Sequence, residues 1–169
     1  MPEKQTLQRA RRDKREGKAA TTQAGEFIRE EMHHIREGKH GARSPQQAIA
    51  IGLSKARRSG VDLPPPKAGT TSEDTREKAQ RDLARGHGAQ PKRKSTARRS
   101  RATTTALKRE SRAAASPRAL ARQARTAASR RTAAQRSASA RKAARTKGPA
   151  TRSAAAKKAA RTRSARGGR

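Results

Sequence analysis

The chain has 169 residues and a formal charge of +32 at pH 7, yet only twelve of its residues are Leu, Ile, Val or Phe. Globular domains rarely fall below about 20% in these four types, so the composition excludes a core along the whole chain and disfavours an enclosed enzyme pocket. Because cysteine is absent, disulfides and thiolate chemistry are excluded. We expect no enzymatic activity, no catalytic residues, no cofactor and no small-molecule substrate, and we expect the partner to be a polyanion.

Charged and apolar residues divide the chain into unlike regions. Residues 1–82 carry 18 basic and 12 acidic side chains, whereas residues 83–169 carry 27 basic side chains and one acid, Glu110. Most of the large apolar residues lie between Phe27 and Leu63. We predict a basic N-terminal helix or arm over 1–20, a helical hairpin over 21–63, a linker with a short helix over 64–90, and a polycationic low-complexity tail over 91–169.

The first predicted helices lie in the N-terminal third of the chain. A short helix is predicted from Thr6 to Glu16, ending before Gly17. The next, over 23–37, is the first helix of the hairpin. It is indicated by a stripe of apolar residues that step by four, four and three, with a C-terminal stop at Gly38. The stripe consists of Ala24, Ile28, Met32 and Ile35.

The second hairpin helix, over 45–59, has clear start and stop signals. Ser44 is an N-cap candidate, Pro45 suits the first helical position, and Gln47 completes a capping box. Gly60 suits a left-handed C-cap. Gly52 lies in the helix interior, where glycine costs about 1 kcal/mol relative to alanine, so it marks either close packing against the first helix or a local irregularity.

A fourth helix is predicted from Glu73 to Arg85, with Ser72 as its N-cap. The predicted fold class is therefore all-α: a small N-terminal helical hairpin with flanking short helices, followed by an Ala/Arg-rich tail that is largely disordered or conditionally helical. Within the tail, residues 117–147 have the propensity to form one long helix that stops at Gly148 and Pro149. Charge repulsion opposes that helix in free solution, and phosphate contacts would relieve the repulsion.

Basic residues of the tail are the predicted nucleic-acid contacts, because each Lys or Arg that meets a phosphate releases condensed counterions. The tail has no aromatic residue for base stacking, which favours duplex DNA over single-stranded RNA. The predicted contacts are Arg98, Arg99, Arg101, Lys108, Arg109, Arg118, Arg122, Arg125, Arg130, Arg131, Arg136, Arg141, Lys142, Arg145, Lys147, Lys157, Lys158, Arg161 and Arg163.

The hairpin offers a second basic surface. Its candidate DNA contacts are Lys39, Arg43, Lys55, Arg57 and Arg58. The seven-residue connection from Gly38 to Ser44 is longer than the turn of a helix-turn-helix motif, so that motif is not predicted. An alternative is that the hairpin is a self-association element whose apolar face is completed by a second copy.

One polar cluster is a candidate metal site. Glu30, His33, His34 and Glu37 fall close together on a helix, a pattern that fits either a divalent cation or ordinary i,i+4 pairs on a solvated face. Since the sequence has no H-E-x-x-H motif, we predict no metal site. His40 and His87, which lie beside glycines, are interpreted as loop residues.

Two parts of the chain resemble known proteins. The run Ser-x-x-Gln-Ala-Ile-Ala-Ile-Gly-Leu-Ser-x-Ala-Arg, from Ser44 to Arg57, resembles the shared core of a family of small, basic, uncharacterised bacterial proteins, which implies no particular activity. The tail resembles the lysine- and alanine-rich tails of linker-histone-like bacterial proteins, although it is richer in arginine and nearly free of Ala-Lys-Pro repeats.

The leading functional prediction is a nucleoid-associated, histone-H1-like protein that compacts or bridges duplex DNA without sequence specificity. An RNA- or ribosome-associated role is the alternative. A membrane-active cationic protein ranks last, because the predicted tail helices lack a large apolar face. No N-terminal signal peptide and no membrane span are predicted, so we expect a cytoplasmic location at the nucleoid and no membrane insertion.

Overall fold

Helices make up all the regular structure in the computed structural model, which describes residues 2–88 and 97–167. The α-helices are α1 (Lys4–Arg15), α2 (Ala20–Arg36), α3 (Pro45–Arg58), α4 (Glu73–Gly86), α5 (Ala97–Arg109), α6 (Pro117–Ser129) and α7 (Ala133–Gly167). A short 3-10 helix (Arg112–Ala115) lies between α5 and α6. The predicted all-α class is confirmed. Residues 89–96, which hold the end of the predicted linker and the start of the predicted tail, lie outside the described residues.

Contacts along the chain divide it into two compact units, Met1–Gln123 and Ala124–Arg169. The first unit contains α1 to α5, the 3-10 helix and the first turns of α6. The second contains the end of α6 and all of α7. Composition changes at about residue 91. The first unit therefore includes residues 97–123 of the predicted polycationic tail.

The hairpin of α2 and α3 is the centre of the first unit. Helix α2 contacts α1, α3 and the 3-10 helix, and α3 also contacts α4. At the start of α3, the hydroxyl of Ser44 accepts a hydrogen bond from the backbone N–H of Gln47 at 3.2 Å, and the side chain of Gln47 accepts one from the N–H of Arg43 at 2.7 Å. Beyond its end, Gly60 has a φ of 86°. The predicted cap and the predicted stop are confirmed.

Gly52 lies where α3 crosses α2. A Cβ atom at this position would lie 2.8 Å from the Cα of Ile28, closer than real Cβ atoms approach. The absence of a side chain therefore allows the two helix backbones to come together. Close packing was one of the two explanations predicted for this glycine, and it is confirmed.

Two apolar clusters form the core of the first unit. The first joins α1, α2, α3 and the segment after α3, and its buried members are Ala10, Ala24, Phe27, Ala56, Val61 and Leu63. The second joins α2, the loop before α3, α3 itself and the 3-10 helix, and its buried members are Met32, Ile35, Ala42, Ala48, Ala114 and Ala115. Because so many members are alanines, the helices pack closely around few large side chains.

The second cluster includes residues from the predicted disordered tail. Ala114 and Ala115 are buried, and the guanidinium of Arg36 donates a hydrogen bond to the carbonyl oxygen of Ala115 at 2.9 Å. The loop between α2 and α3 joins the same contact, since the N–H of Gly41 donates to the carbonyl of Leu107 at 2.8 Å. A Cβ on Gly41 would overlap the carbonyl oxygen of Glu110. Residues 107–115 are thus part of the folded first unit.

The predicted disorder of the tail is wrong for the described residues, which form helices from Ala97 onward with short breaks. Alanine and arginine have high helix propensity, which accounts for this outcome. The predicted single helix over 117–147 is also wrong. Helix α6 ends at Ser129, and Thr132 caps α7 by accepting a hydrogen bond from the N–H of Gln135 at 3.2 Å. Within α7 the backbone is non-helical at Gly148, where a stop was predicted.

Candidate nucleic-acid interface

Exposure of the tail's basic side chains is the first property that an electrostatic interface requires. The structure describes the side chains of seventeen of the nineteen predicted tail contacts, and all seventeen are exposed. The other two, Arg99 and Lys147, have side chains outside the described part. These seventeen predicted contacts are therefore accessible on α5, α6, α7 and the connection between α6 and α7.

Helix α5 carries four of its five basic residues on one side. Steps of three, seven and one residues place them within a sector of about 100°, because each residue of an α-helix turns by about 100°. These residues are Arg98, Arg101, Lys108 and Arg109. Such an arrangement presents four cations in one direction.

Helix α6 has two different sides. Arg118, Arg122 and Arg125 step by four and three and so share a face. On the opposite side, Leu120 packs against the second apolar cluster, and the side chain of Gln123 accepts a hydrogen bond from Gln46. One side of the first turns of α6 therefore packs within the first unit, and the arginines lie on the other side.

Helix α7 carries basic residues around its circumference. Before Gly148, the residues Arg141, Lys142 and Arg145 share one sector, with Arg136 outside it. After Pro149, the residues Lys157, Lys158 and Arg161 share a sector, and Arg163 lies on a different side. Arg130 and Arg131 occupy the short connection between α6 and α7. Because no side of α7 is apolar, the helix has no face suited to insertion into a lipid bilayer.

Neutralising carboxylates are scarce in this region. No acidic residue follows Glu110 in the sequence, and Glu110 itself lies 3.8 Å from the guanidinium of Arg43. Residues 124–169 contain fifteen basic residues and no acid. Their positive potential is therefore screened only by solvent ions or by a bound polyanion.

The five candidate contacts in the hairpin have different surroundings. Lys39 forms ion pairs with Glu37 at 3.0 Å and Glu3 at 3.4 Å, and the hydrogen bond to Glu37 is the main cause that raises the pKa of Lys39. Arg43 is exposed. Arg58 is exposed and lies 3.7 Å from Asp82. Three cations thus remain at the surface, each near a carboxylate.

Lys55 and Arg57 do not belong to an exposed basic surface, and that expectation is wrong. Arg57 is buried, its guanidinium donates to the carbonyl oxygens of Leu63 at 3.1 Å and Pro64 at 3.2 Å, and burial lowers its pKa. The ammonium of Lys55 donates to the buried carboxylate of Glu31. Both cations hold the first unit together instead of facing solvent.

The polar cluster around α2 differs from the four residues considered in the sequence. His33 is exposed and pairs with Glu37 at 3.6 Å, as an ordinary i,i+4 pair does. The ligand atoms of Glu31, His34 and His40 instead lie within 4.8 Å of one another. The interpretation of His40 as a simple loop residue is wrong, because its Nε2 lies 3.1 Å from a carboxylate oxygen of Glu31.

Comparisons with known proteins bear only on the region of the α2–α3 hairpin. Residues 15–67 match the model of a family of unknown function, DUF6496. The matched segment contains α2, α3 and the loop between them, and it ends before α4. No match was found among curated proteins or among solved structures. In the described part of the chain, no helix combines the length and apolar character needed to cross a membrane.

Proposed function

We propose that this protein binds nucleic acid through its tail without reading base sequence, and that duplex DNA is its main partner. The observation that carries the proposal is the exposure of the described basic side chains that recur along the sequence of α5, α6 and α7, in a region with a single acidic residue. A surface of this kind matches the phosphate backbone, which carries one negative charge per about 1.7 Å of duplex axis.

Counterion release supplies the free energy of binding. Each phosphate that a Lys or Arg neutralises contributes about −0.9 to the slope of log affinity against log salt concentration. If about ten of the tail cations engage at once, the slope is about −9. Binding is then tight at low salt and falls steeply as salt increases, for any base sequence.

Helix geometry favours bridging as well as binding. A helix whose basic residues occupy several sides, as in α7, is able to contact phosphates of two duplex segments at once. The absence of aromatic residues in the tail removes the stacking platforms that single-strand binders use. We therefore infer a nucleoid-associated, histone-H1-like role in compacting or bridging DNA, in keeping with the compositional likeness of the tail.

Helix content of the second unit is expected to respond to binding. No described residue of that unit is buried, so its helices rest on local propensity and are opposed by repulsion among fifteen cations. Neutralisation by phosphates removes the repulsion. Circular dichroism of the full chain is expected to gain helical signal when duplex DNA is added.

The proposal is tested by fluorescence anisotropy of the full chain with labelled duplexes of two unrelated sequences, from 50 to 300 mM salt. The expected result is equal affinity for the two duplexes and a steep, linear log–log slope. Unlabelled structured RNA and anionic vesicles are added as competitors. A flat slope, a preference of tenfold or more for one sequence, or stronger competition by RNA or vesicles than by duplex DNA would each contradict the proposal.

A further inference from the structure

Two adjacent carboxylates of α2 are buried with little compensating charge. Glu30 is 4% exposed and Glu31 is 1% exposed. Lys55 is the cation nearest to both, with its ammonium against Glu31 and 3.9 Å from the Oε1 atom of Glu30. That Oε1 atom has no hydrogen-bond partner among the described residues. Two buried anions facing one ammonium leave an excess of negative charge, which is costly inside a protein.

The hydrogen bonds of His40 point to a cation beside Glu31. The Nδ1 atom of His40 lies 3.0 Å from the carbonyl oxygen of Gly41, and since a carbonyl only accepts, Nδ1 carries the hydrogen. In a neutral imidazole, Nε2 is then an acceptor. It nevertheless lies 3.1 Å from a carboxylate oxygen of Glu31, which is also an acceptor. A metal ion between Nε2 and that oxygen would let both atoms act as acceptors at this distance.

His34 completes a three-residue set. Its ring lies nearly perpendicular to that of His40, with 6.2 Å between the ring centroids. One ligand atom from each of Glu31, His34 and His40 falls within 4.8 Å of the other two. The Nε2 atom of His34 also lies 2.8 Å from the carboxylate of Glu3, which is exposed. Two imidazoles and the carboxylate of Glu31 therefore lie together, with the carboxylate of Glu3 beside His34.

Access from solvent is available on the Glu3 side. A polar cavity of about 260 Å³ is lined there by Glu3, Glu30, His33, His34 and neighbouring residues. The side chains of His34 and His40 are 14% and 16% exposed, so the cluster is neither sealed nor fully solvated. The cavity borders His34 but neither Glu31 nor His40, and the partial exposure of the two rings gives a hydrated ion a route to the site.

We propose that Glu31, His34 and His40 bind a divalent transition-metal ion of the Zn²⁺ class, with Glu3 as the nearest additional oxygen ligand. Two imidazole nitrogens and a carboxylate are a ligand set that such ions take. The Nδ1–H of His40 donates to a backbone carbonyl, which is the usual way that a ligating histidine is oriented. The ion adds positive charge beside the buried carboxylate of Glu31, which also contacts the ammonium of Lys55.

The site has a structural consequence for the contact with residues 107–115. His40 immediately precedes Gly41, whose N–H donates to the carbonyl of Leu107. An ion held by His40, His34 and Glu31 ties this loop to α2 and so stabilises the surface on which residues 107–115 pack. This role is independent of DNA binding, and its test contains no nucleic acid.

Isothermal titration calorimetry of the full chain with Zn²⁺, in a buffer that does not bind metals, is the test. The expected result is one saturable equivalent in the wild type and an affinity lowered by at least about 10- to 100-fold, the cost of losing even an outer-shell partner, in His34→Ala and in His40→Ala. His33→Ala is the matched control, since His33 lies on the same helix but is 61% exposed and pairs with Glu37. Its affinity is expected to stay within about twofold of the wild type.

A second measurement does not depend on the folding of any variant. NMR follows the histidine ring resonances of the wild-type chain during the same titration. The signals of two histidines, His34 and His40, are expected to shift together and saturate at one equivalent, while those of His33 and His87 stay in place. The proposal is overturned if no saturable binding occurs up to about 100 μM Zn²⁺. It is also overturned if His33→Ala weakens binding as much as His40→Ala, or if the other two rings shift instead.

Discussion

The two compact units are both helical, but their helices form for different reasons. Met1–Gln123 contains two apolar clusters, 30 basic residues and 13 acidic residues. Ala124–Arg169 contains fifteen basic residues, no acid and no buried residue among those described. Packing determines the helices of the first unit, whereas local propensity determines those of the second. The second unit therefore depends on its ionic surroundings in a way that the first does not.

Alanine illustrates the contrast, because the same residue has different roles in the two units. In the first unit, Ala24, Ala48, Ala56 and Ala115 are fully buried where helices or loops meet. In the second unit, alanines lie mostly on exposed helix surface between arginines and lysines. Alanine content by itself does not distinguish a core from a tail. Substitutions in each unit show whether packing or local propensity stabilises its helices.

The largest expected effect on stability is that of Phe27→Ala. Phe27 is 1% exposed and is the largest side chain in the first apolar cluster. Its truncation removes buried apolar area and leaves a cavity, with an expected loss of about 3–5 kcal/mol in the free energy of unfolding of the first unit. Urea denaturation followed by circular dichroism measures the change. An unchanged midpoint would show that this cluster does not stabilise the unit.

Ala155→Gly is the counterpart of this substitution in the second unit. Ala155 is exposed within α7, so glycine is expected to cost about 0.5–1 kcal/mol of local helix stability through backbone entropy. The urea midpoint of the first unit is expected to stay the same, while amide exchange in α7 becomes faster. A shift of that midpoint would break the distinction between the two units.

Substitutions at two glycines of the hairpin test how closely α2 and α3 pack. Gly52→Ala places a Cβ 2.8 Å from the Cα of Ile28 and is expected to destabilise the first unit by about 1–3 kcal/mol. Gly25→Ala has open space around its Cβ and is expected to stabilise the unit by about 0.5–1 kcal/mol. Thermal melts of both variants give the sign directly. Equal effects in the same direction would contradict the close helix approach.

The smallest expected effect comes from Glu73→Gln, at the start of α4. The guanidinium of Arg76 donates to both carboxylate oxygens of Glu73, and this hydrogen bond is the main cause that lowers the pKa of Glu73 below its usual value of 4.5. A lowered pKa stabilises the folded state above that usual value, and the contribution is lost as pH falls through the folded pKa. The small difference in melting temperature between wild type and variant is therefore expected to be present at pH 7 and to disappear in acid. A difference that grows in acid would contradict the assigned direction.

Sequence patterns predicted the hairpin well because its signals are local. Ser44, Gln47 and Gly60 act within a few residues of one another, and the hydrogen bonds and backbone angle that they form follow from residue type alone. Gly52 was recognised as unusual for its position in a helix, and Ile28 accounts for it. Helix boundaries in this region consequently agree with the structure to within about three residues.

The long-range contacts of residues 107–115 and of His40 were not predicted, since nothing in the local pattern marks them. The docking of Ala114 and Ala115 joins residues about 70 positions apart from Ala42 and Ala48, and alanines within an Ala/Arg-rich segment look the same whether buried or exposed. The pairing of His40 with Glu31 depends on how the loop folds back over α2. Leu107, Glu110 and Leu120 differ from the Ala/Arg-rich composition around them. These residues were the available indication that this part of the tail packs on the rest of the chain.

The central claim is that basic residues of the tail, and not the overall charge, bind DNA. Two full-length variants distinguish these possibilities. In each variant five basic residues are replaced by Gln, so both lose the same five positive charges. The tail variant changes exposed residues of α7, namely Arg141, Arg145, Lys157, Lys158 and Arg161. The head variant changes exposed residues of the first unit that form no ion pair in the described structure, namely Lys4, Arg11, Arg15, Lys67 and Arg81.

The measurement is the slope of log affinity for a duplex DNA against log salt concentration, for the wild type and the two variants. The tail variant is expected to have a slope shallower by up to about 4.5, because each lost phosphate contact contributes about 0.9, and to bind about tenfold or more weakly than the head variant at low salt. The head variant is expected to keep nearly the slope of the wild type. Equal losses of slope and affinity in the two variants would contradict the account.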